Sequence, residues 1–100
     1  MYRGTNPILV INFSCDASRI TKFRVTFVQG KEIVLEKTLS DCTIEDNKIK
    51  LQLTEAETFN FKVGVLKMQA KVQMEDGSIS YSNVKEIAVK DVLNGGAFDE

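Results

Sequence analysis

The chain has 100 residues, of which 43% are hydrophobic and 27% are charged, so its composition is that of a folded domain and excludes global disorder. A chain of this length buries roughly 65% of its unfolded surface, which is enough for a core without cross-links. The net charge is −1 and its acidic and basic residues are interspersed, whereas a nucleic-acid-binding protein presents a basic face. We therefore expect no nucleic acid among its partners.

The first residues, 1–5, contain no apolar signal core, and the longest apolar runs are too short to cross a bilayer. These features predict synthesis in a cytoplasm and no membrane insertion. Pro7 opens a first apolar strand over residues 8–13, at a strand start where proline is tolerated. A short turn is expected over residues 16–19.

Further strands are predicted by alternation of apolar and polar residues, the pattern of half-buried strands. Lys37 interrupts the inner face of one of them. In the last strand, Val84 is out of phase, which predicts a bulge or kink near Ser82 and Asn83. These strands cover residues 23–27, 33–39, 48–53, 68–74 and 79–89.

Two hairpins are predicted with two-residue loops, at residues 76–77 and 46–47. Asp-Gly is the strongest hairpin signal in the chain, and its register places Tyr81 on the inner face. The pairs expected from the two loops are Met74 with Ile79, Val72 with Tyr81, Ile44 with Ile49 and Cys42 with Leu51.

A third hairpin turns near Gly30. A two-residue loop over residues 30–31 would set Val25 opposite Glu36 and mix the two faces of the sheet. We therefore predict a three-residue or bulged turn at Gly30, which matches Phe27 and Val25 to apolar partners.

One short helical turn is predicted between strands, over residues 54–61. Thr54 followed three residues later by Glu57 forms a capping box, which satisfies backbone N–H groups at both positions. Six to seven short strands with this single turn predict an all-β, two-layer antiparallel β-sandwich with an Ig-like Greek key, a small barrel being the alternative. Residues 1–94 are expected to form one domain and residues 95–100 a flexible tail.

The core is expected to contain aromatic side chains at the inner phases of these strands. The residues predicted to fill it are Phe13, Phe23, Phe27 and either Phe59 or Phe61.

The chain offers little for catalysis, because it contains no histidine, the commonest general base and metal ligand. Its two cysteines, Cys15 and Cys42, are too few for a closed zinc site. We expect free thiols, a disulfide being the alternative, with Cys42 as a small buried side chain. Neighbouring acids are explained by helix capping and turns, so we predict no enzyme, no catalytic residue, no metal site and no cofactor.

Three stretches of the sequence stand out together: Tyr2, Arg3, Gly4, Thr5 and Pro7, then Leu53, Thr54, Glu57, Thr58 and Phe61, then Asp76, Gly77 and Ser82. They resemble small proteins encoded in the tail and structural gene clusters of phages and prophages of Gram-positive, often gut, bacteria. The similarity covers residues 2 to about 96 and extends to the N-terminal β-sandwich domains of baseplate upper proteins, while residues 97–100 have no counterpart.

This resemblance implies a non-catalytic structural protein of the virion, associated with the tail or baseplate and synthesised in the cytoplasm of the bacterial host. Its partners would be other virion proteins or further copies of itself. Edge strands that need cover favour a homo-oligomer, whereas Pro7 and Lys37 are the residues that would protect such edges. The alternative is a module that binds a glycan or a host surface protein, for which Tyr2 and Tyr81 are the candidate platforms.

Overall fold

The computed structural model describes residues 1–13 and 16–93, which form eight strands, one α-helix and two 3₁₀ turns. The 3₁₀ turns are Ala17–Arg19 and Leu39–Asp41. The strands are β1 Ile8–Asn12, β2 Ile20–Gln29, β3 Glu32–Thr38, β4 Cys42–Glu45, β5 Lys48–Gln52, β6 Gly64–Met74, β7 Ile79–Tyr81 and β8 Lys85–Val89, and helix α1 is Glu55–Phe59.

Two antiparallel sheets pack face to face. The smaller sheet has the order β1-β5-β4, and the larger has β3-β2-β6-β7, with β8 also pairing with β6. These orders correspond to strands B-E-D and C′-C-F-G of Ig-like sandwiches. The N-terminal segment adds one parallel bridge, from Tyr2 to Lys90 beyond the end of β8. The predicted all-β sandwich with Ig-like topology is confirmed. It has eight strands where six to seven were predicted, because residues 79–89 form two strands, β7 and β8.

The core lies between the sheets because alternate residues of the two central strands of the larger sheet point inward. Phe23 and Phe27 of β2 are buried, and the Phe27 ring packs 6.0 Å from that of Phe61. Phe13 is half-buried against this core. Of the two alternatives at the helix, Phe61 is the core residue, whereas Phe59 is 39% exposed.

The capping box at the start of α1 is confirmed. The Thr54 hydroxyl accepts a hydrogen bond from the Glu57 N–H at 3.1 Å, and the Glu57 carboxylate accepts one from the Thr54 N–H at 2.8 Å. The predicted turn before β2 is also present, with Asp16 capping it by accepting from the Ser18 N–H. The N-terminus of α1 and that of the 3₁₀ turn are thus each fixed by a capping side chain. Such caps matter in these elements because a short helix gains little stability by propagation.

The prediction for the Gly30 hairpin is wrong about the place of the irregularity. Gln29 pairs with Glu32, so the loop has two residues, and Gly30 has a φ of +65° as a type II′ turn requires. The register of β2 and β3 shifts beyond this loop, between the pair Val28–Ile33 and the pair Phe27–Leu35, so that Val34 forms a bulge. Phe27 thereby faces Leu35, as expected, but Val25 faces Lys37 and not an apolar partner.

The two-residue loop predicted at residues 76–77 is wrong by one residue. The Met74 N–H donates to the Ser78 carbonyl, which leaves three residues in the loop, and Gly77 supplies a φ of +88°. Ile79 therefore faces Gln73, and Tyr81 faces Lys71. A shift of one residue exchanges the two faces of a strand. Tyr81 consequently lies on the outer face, where it is 61% exposed.

The other predicted irregularity and hairpin are confirmed. The last predicted strand is interrupted at residues 82–84, where Ser82 replaces a strand contact: its hydroxyl accepts from the Ala70 N–H at 2.9 Å. The 46–47 loop pairs Cys42 with Leu51 and Ile44 with Ile49. The tail predicted over residues 95–100 lies outside the described residues.

Candidate functional site

Several carboxylates within the described residues are engaged in local structure. Within residues 1–13 and 16–93, no group of three Cys, Asp or Glu side chains is arranged to hold a metal ion. Asp76 accepts from the Ser78 hydroxyl at 2.7 Å and from its N–H at 2.9 Å, and these bonds lower the pKa of Asp76. Glu57 caps α1 and pairs with Lys37. These acids stabilise turns and a helix end.

Cys42 faces Leu51 as predicted, but it is only partly buried, at the edge of the core, and its thiol donates to the Thr38 carbonyl at 3.2 Å. Burial raises the pKa of this thiol, and the neighbouring Asp41 carboxylate raises it further. Since the thiolate is the nucleophile, Cys42 is a weak one at neutral pH. Cys15 lies outside the described residues.

Two of the three stretches singled out in the sequence come together in space. The Arg3 guanidinium donates to the Phe59 carbonyl at 2.9 and 3.2 Å and stacks 4.7 Å from the centre of its ring. The buried Thr58 hydroxyl donates to the Thr5 carbonyl at 2.5 Å. Gly4 lies against Phe59, with a φ of +77°. These residues join the N-terminal segment to α1, which is a structural role.

The outer edge of β1 has no strand beside it within the described residues. The Leu53 N–H donates to the Pro7 carbonyl and the Phe13 N–H to the Asn47 carbonyl, so the odd-numbered residues direct their backbone groups to β5. Backbone groups alternate along an antiparallel strand. The N–H and C=O groups of Ile8, Val10 and Asn12 therefore point away from the sheet.

This edge is also unusually apolar and free of charge. Ile8 is 59% and Val10 44% exposed, and no residue from 4 to 13 is ionisable. The other edge strands β3, β4 and β8 each carry charged residues, the usual protection against strand pairing, and the uncharged β7 is only three residues long. Among the described edge strands with more than three residues, β1 alone carries no charged residue.

A second surface lies on the outer face of the larger sheet. One row of residues crosses four strands there, since Arg24 faces Thr38 on one side and Lys71 on the other, and Lys71 in turn faces Tyr81. Lys22 lies two residues from Arg24, on the same strand. Lys22, Arg24 and Lys71 border an open depression of about 320 Å³, which Gln73 and Ile79 also line and to which Tyr81 does not contribute.

In the described part of the chain, no carboxylate forms an ion pair with Lys22, Arg24 or Lys71. Glu36 is diagonal to Arg24 in the sheet and makes no such contact. The Lys71 ammonium lies 5.5 Å from the centre of the Tyr81 ring. We define Lys22, Arg24, Lys71 and Tyr81 as the cationic row.

Reasoning from the sequence missed both surfaces. The cationic row was hidden because its members come from three strands, and because the wrong register placed Tyr81 inside. The absence of charge from residue 4 to residue 13 was the available signal for the β1 edge.

Comparisons of the chain with protein families, curated proteins and solved structures find no match. The resemblance to phage structural proteins therefore stays a prediction. No helix within the described residues is long and apolar enough to cross a membrane.

Proposed function

We propose that this chain is a non-catalytic structural protein that assembles through its β1 edge with a second copy of itself. The carrying observation is the uncharged, exposed edge of β1, in a molecule whose other long edge strands carry charges. Natural β-sandwiches place charges on edges that must not pair, so an edge without charged residues is suited to strand addition. Pro7 precedes β1 and directs its backbone to β5, so it does not block the outward groups of the edge.

The edge is complementary to itself. In an antiparallel pair with a two-fold axis at Val10, Val10 faces its own copy and Ile8 faces Asn12. The outward N–H and C=O groups of these residues then form about six hydrogen bonds. No ionisable residue of β1 faces another, and the two three-stranded sheets become one continuous sheet.

The expected affinity is modest. Each hydrogen bond contributes about 1 kcal/mol net. Association costs about 4 kcal/mol or more in lost freedom. Burial of the Ile8 and Val10 side chains adds to the gain. We expect a dissociation constant on the order of 0.1 mM, a strength at which repeated contacts within a larger assembly become stable.

The resemblance to tail and baseplate proteins supplies the biological setting that we propose, a phage or prophage virion. Weak self-pairing suits such a particle because neighbouring copies are held at high effective concentration. A structural role also accommodates a chain without histidine, whose carboxylates cap turns and whose described thiol has a raised pKa.

The test is the mass of the protein in solution as a function of concentration, measured by sedimentation equilibrium. We expect the weight-average mass to rise from monomer towards dimer as the concentration passes the dissociation constant. The variant Val10→Lys, which places a charge at the two-fold axis, stays monomeric. Thr43→Lys, on the opposite edge of the same sheet, dimerises like the wild type. A wild type that stays monomeric throughout contradicts the proposal.

A further inference from the structure

We propose that the cationic row binds an anionic polysaccharide, with Lys22, Arg24 and Lys71 contacting its carboxylate or phosphate groups and Tyr81 stacking on a sugar ring. This site lies on the sheet opposite to β1. Only its Tyr81 end comes close to the β1 edge, where it shares a second depression with Asn12. The site gives the surface-binding alternative a specific place on the molecule and a specific ligand charge.

The first argument is the direct pairing of two cations. Arg24 and Lys71 are cross-strand neighbours in the register of β2 and β6. Like charges in this position destabilise a sheet, and natural sheets normally place an opposite charge there. Lys22 adds a third positive charge on the same face, and the described residues provide no carboxylate in contact with any of the three. A bound anion would supply the missing countercharge.

The second argument is that an aromatic ring and an amide lie close to these cations. Tyr81 is 61% exposed at the end of the row and offers one face of its ring beside Lys71. The Gln73 side chain lines the depression of about 320 Å³ together with Lys22, Arg24 and Lys71. Aromatic faces, amides and cations together match a ligand that has apolar C–H faces, hydroxyl groups and negative charges.

The third argument is the shape of the surface. Three adjacent strands contribute Arg24, Lys71 and Tyr81, so the row extends about 10 Å across the sheet at the usual strand spacing, and the uncharged Thr38 lies beside Arg24 on the next strand. An open, linear surface of this kind fits an extended chain and not a small enclosed ligand. A single aromatic residue and a chain charge of −1 favour a polysaccharide over a nucleic acid.

The experiment is isothermal titration of the full chain with polygalacturonate, with neutral dextran and with an oligodeoxythymidine. We expect binding to polygalacturonate that weakens as salt is added, and no binding to dextran. Arg24→Gln is expected to weaken binding about fivefold, and Tyr81→Ala by a similar factor. Lys48→Gln, which removes one lysine from the outer face of the other sheet, leaves binding unchanged.

A second readout separates a ligand site from a structural role. Because Arg24→Gln removes a like-charge pair, we expect its melting temperature without ligand to equal or exceed that of the wild type. The proposal is overturned if polygalacturonate does not bind, if dextran binds equally well, or if Arg24→Gln binds like the wild type. Stronger binding of the oligonucleotide overturns it in favour of a nucleic-acid site.

Discussion

The ammonium group of Lys37 on β3 contacts the carboxylate of Glu57 on α1, and both side chains are largely shielded from solvent. Lys37 faces the buried Val25 in the sheet, so its alkyl chain covers the core while its charge reaches the helix. This contact explains the polar residue that interrupts the inner face of β3. It also gives Glu57 two roles, since the same carboxylate caps α1.

The contact between Lys37 and Glu57 predicts a specific dependence of stability on pH. Burial alone would raise the pKa of Glu57, but the hydrogen bonds from Lys37 and Thr54 outweigh it and lower the pKa below its ordinary value of 4.5. The resulting stability is therefore present above pH 4.5 and is lost as the pH falls through the lower folded value. We expect Glu57→Gln to reduce the free energy of unfolding by about 1 kcal/mol at pH 7.

Urea denaturation of both proteins at several pH values checks this, because the difference between wild type and Glu57→Gln should shrink towards pH 3. Glu55→Gln is the matched control, since it removes a carboxylate from the same helical turn without touching Lys37. A Glu57→Gln difference that is constant from pH 7 to pH 3 would show that the ion pair contributes nothing.

The hydroxyl of Thr58 is expected to matter more than its small size suggests. Thr58→Val keeps the shape of this buried side chain but leaves the Thr5 carbonyl without its donor. Because Thr5 is exposed, its carbonyl can bond to water instead, so we expect the free energy of unfolding to fall by about 1 kcal/mol, the net contribution of one hydrogen bond. Thr43→Val, at an exposed position, should change it little. Equal effects of the two substitutions would contradict this role for Thr58.

The thiol of Cys42 is expected to react slowly. Burial and the Asp41 carboxylate raise its pKa above the ordinary 9.0, so little thiolate is present at pH 7 to 8. Alkylation with iodoacetamide, followed by mass spectrometry of the peptide that contains Cys42, should be markedly faster after denaturation in urea. Alkylation of the native protein at the rate of the unfolded chain would refute the prediction.

The fold class could be predicted from the sequence because alternation in strands such as residues 48–53 and 68–74 is strict and the capping box at Thr54 has few other interpretations. The registers of the hairpins were harder to predict than the fold class. The Asp-Gly dipeptide at residues 76–77 is compatible with a loop of two or of three residues. In the observed three-residue loop, the Asp76 carboxylate accepts a hydrogen bond from the Ser78 N–H. Counting apolar residues favoured Tyr81 inside, but β7 lies at the edge of the larger sheet, and the small Ser80 faces Val72 there.

The candidate surfaces were harder to predict, for a physical reason. The cationic row exists only once β2, β6 and β7 are aligned, and a one-residue error in either register removes it. The contact of Arg3 with Phe59 joins residues 56 positions apart. The spacing of residues along the sequence does not show which residues this far apart will be in contact.

The effect of charge on self-assembly should depend on position within the sheet. Val10→Lys is expected to abolish dimerisation because two ammonium groups would meet at the two-fold axis. It also places a lysine opposite Lys50 of β5, so we expect a small loss of stability as well. Sedimentation equilibrium checks this, and denaturation of the variant confirms that it is folded. If Val10→Lys and Thr43→Lys dimerise equally, the contact uses some surface other than β1.

The exchange of single backbone amides in concentrated solution tests assembly through β1 most directly. In dilute protein, the N–H groups of Ile8, Val10 and Asn12 face solvent, whereas those of Leu9 and Ile11 are bonded to β5. Measured by NMR, exchange at the first three positions should slow as the concentration rises, while exchange in β4 stays unchanged. Exchange rates at Ile8, Val10 and Asn12 that do not depend on concentration would contradict assembly through this edge.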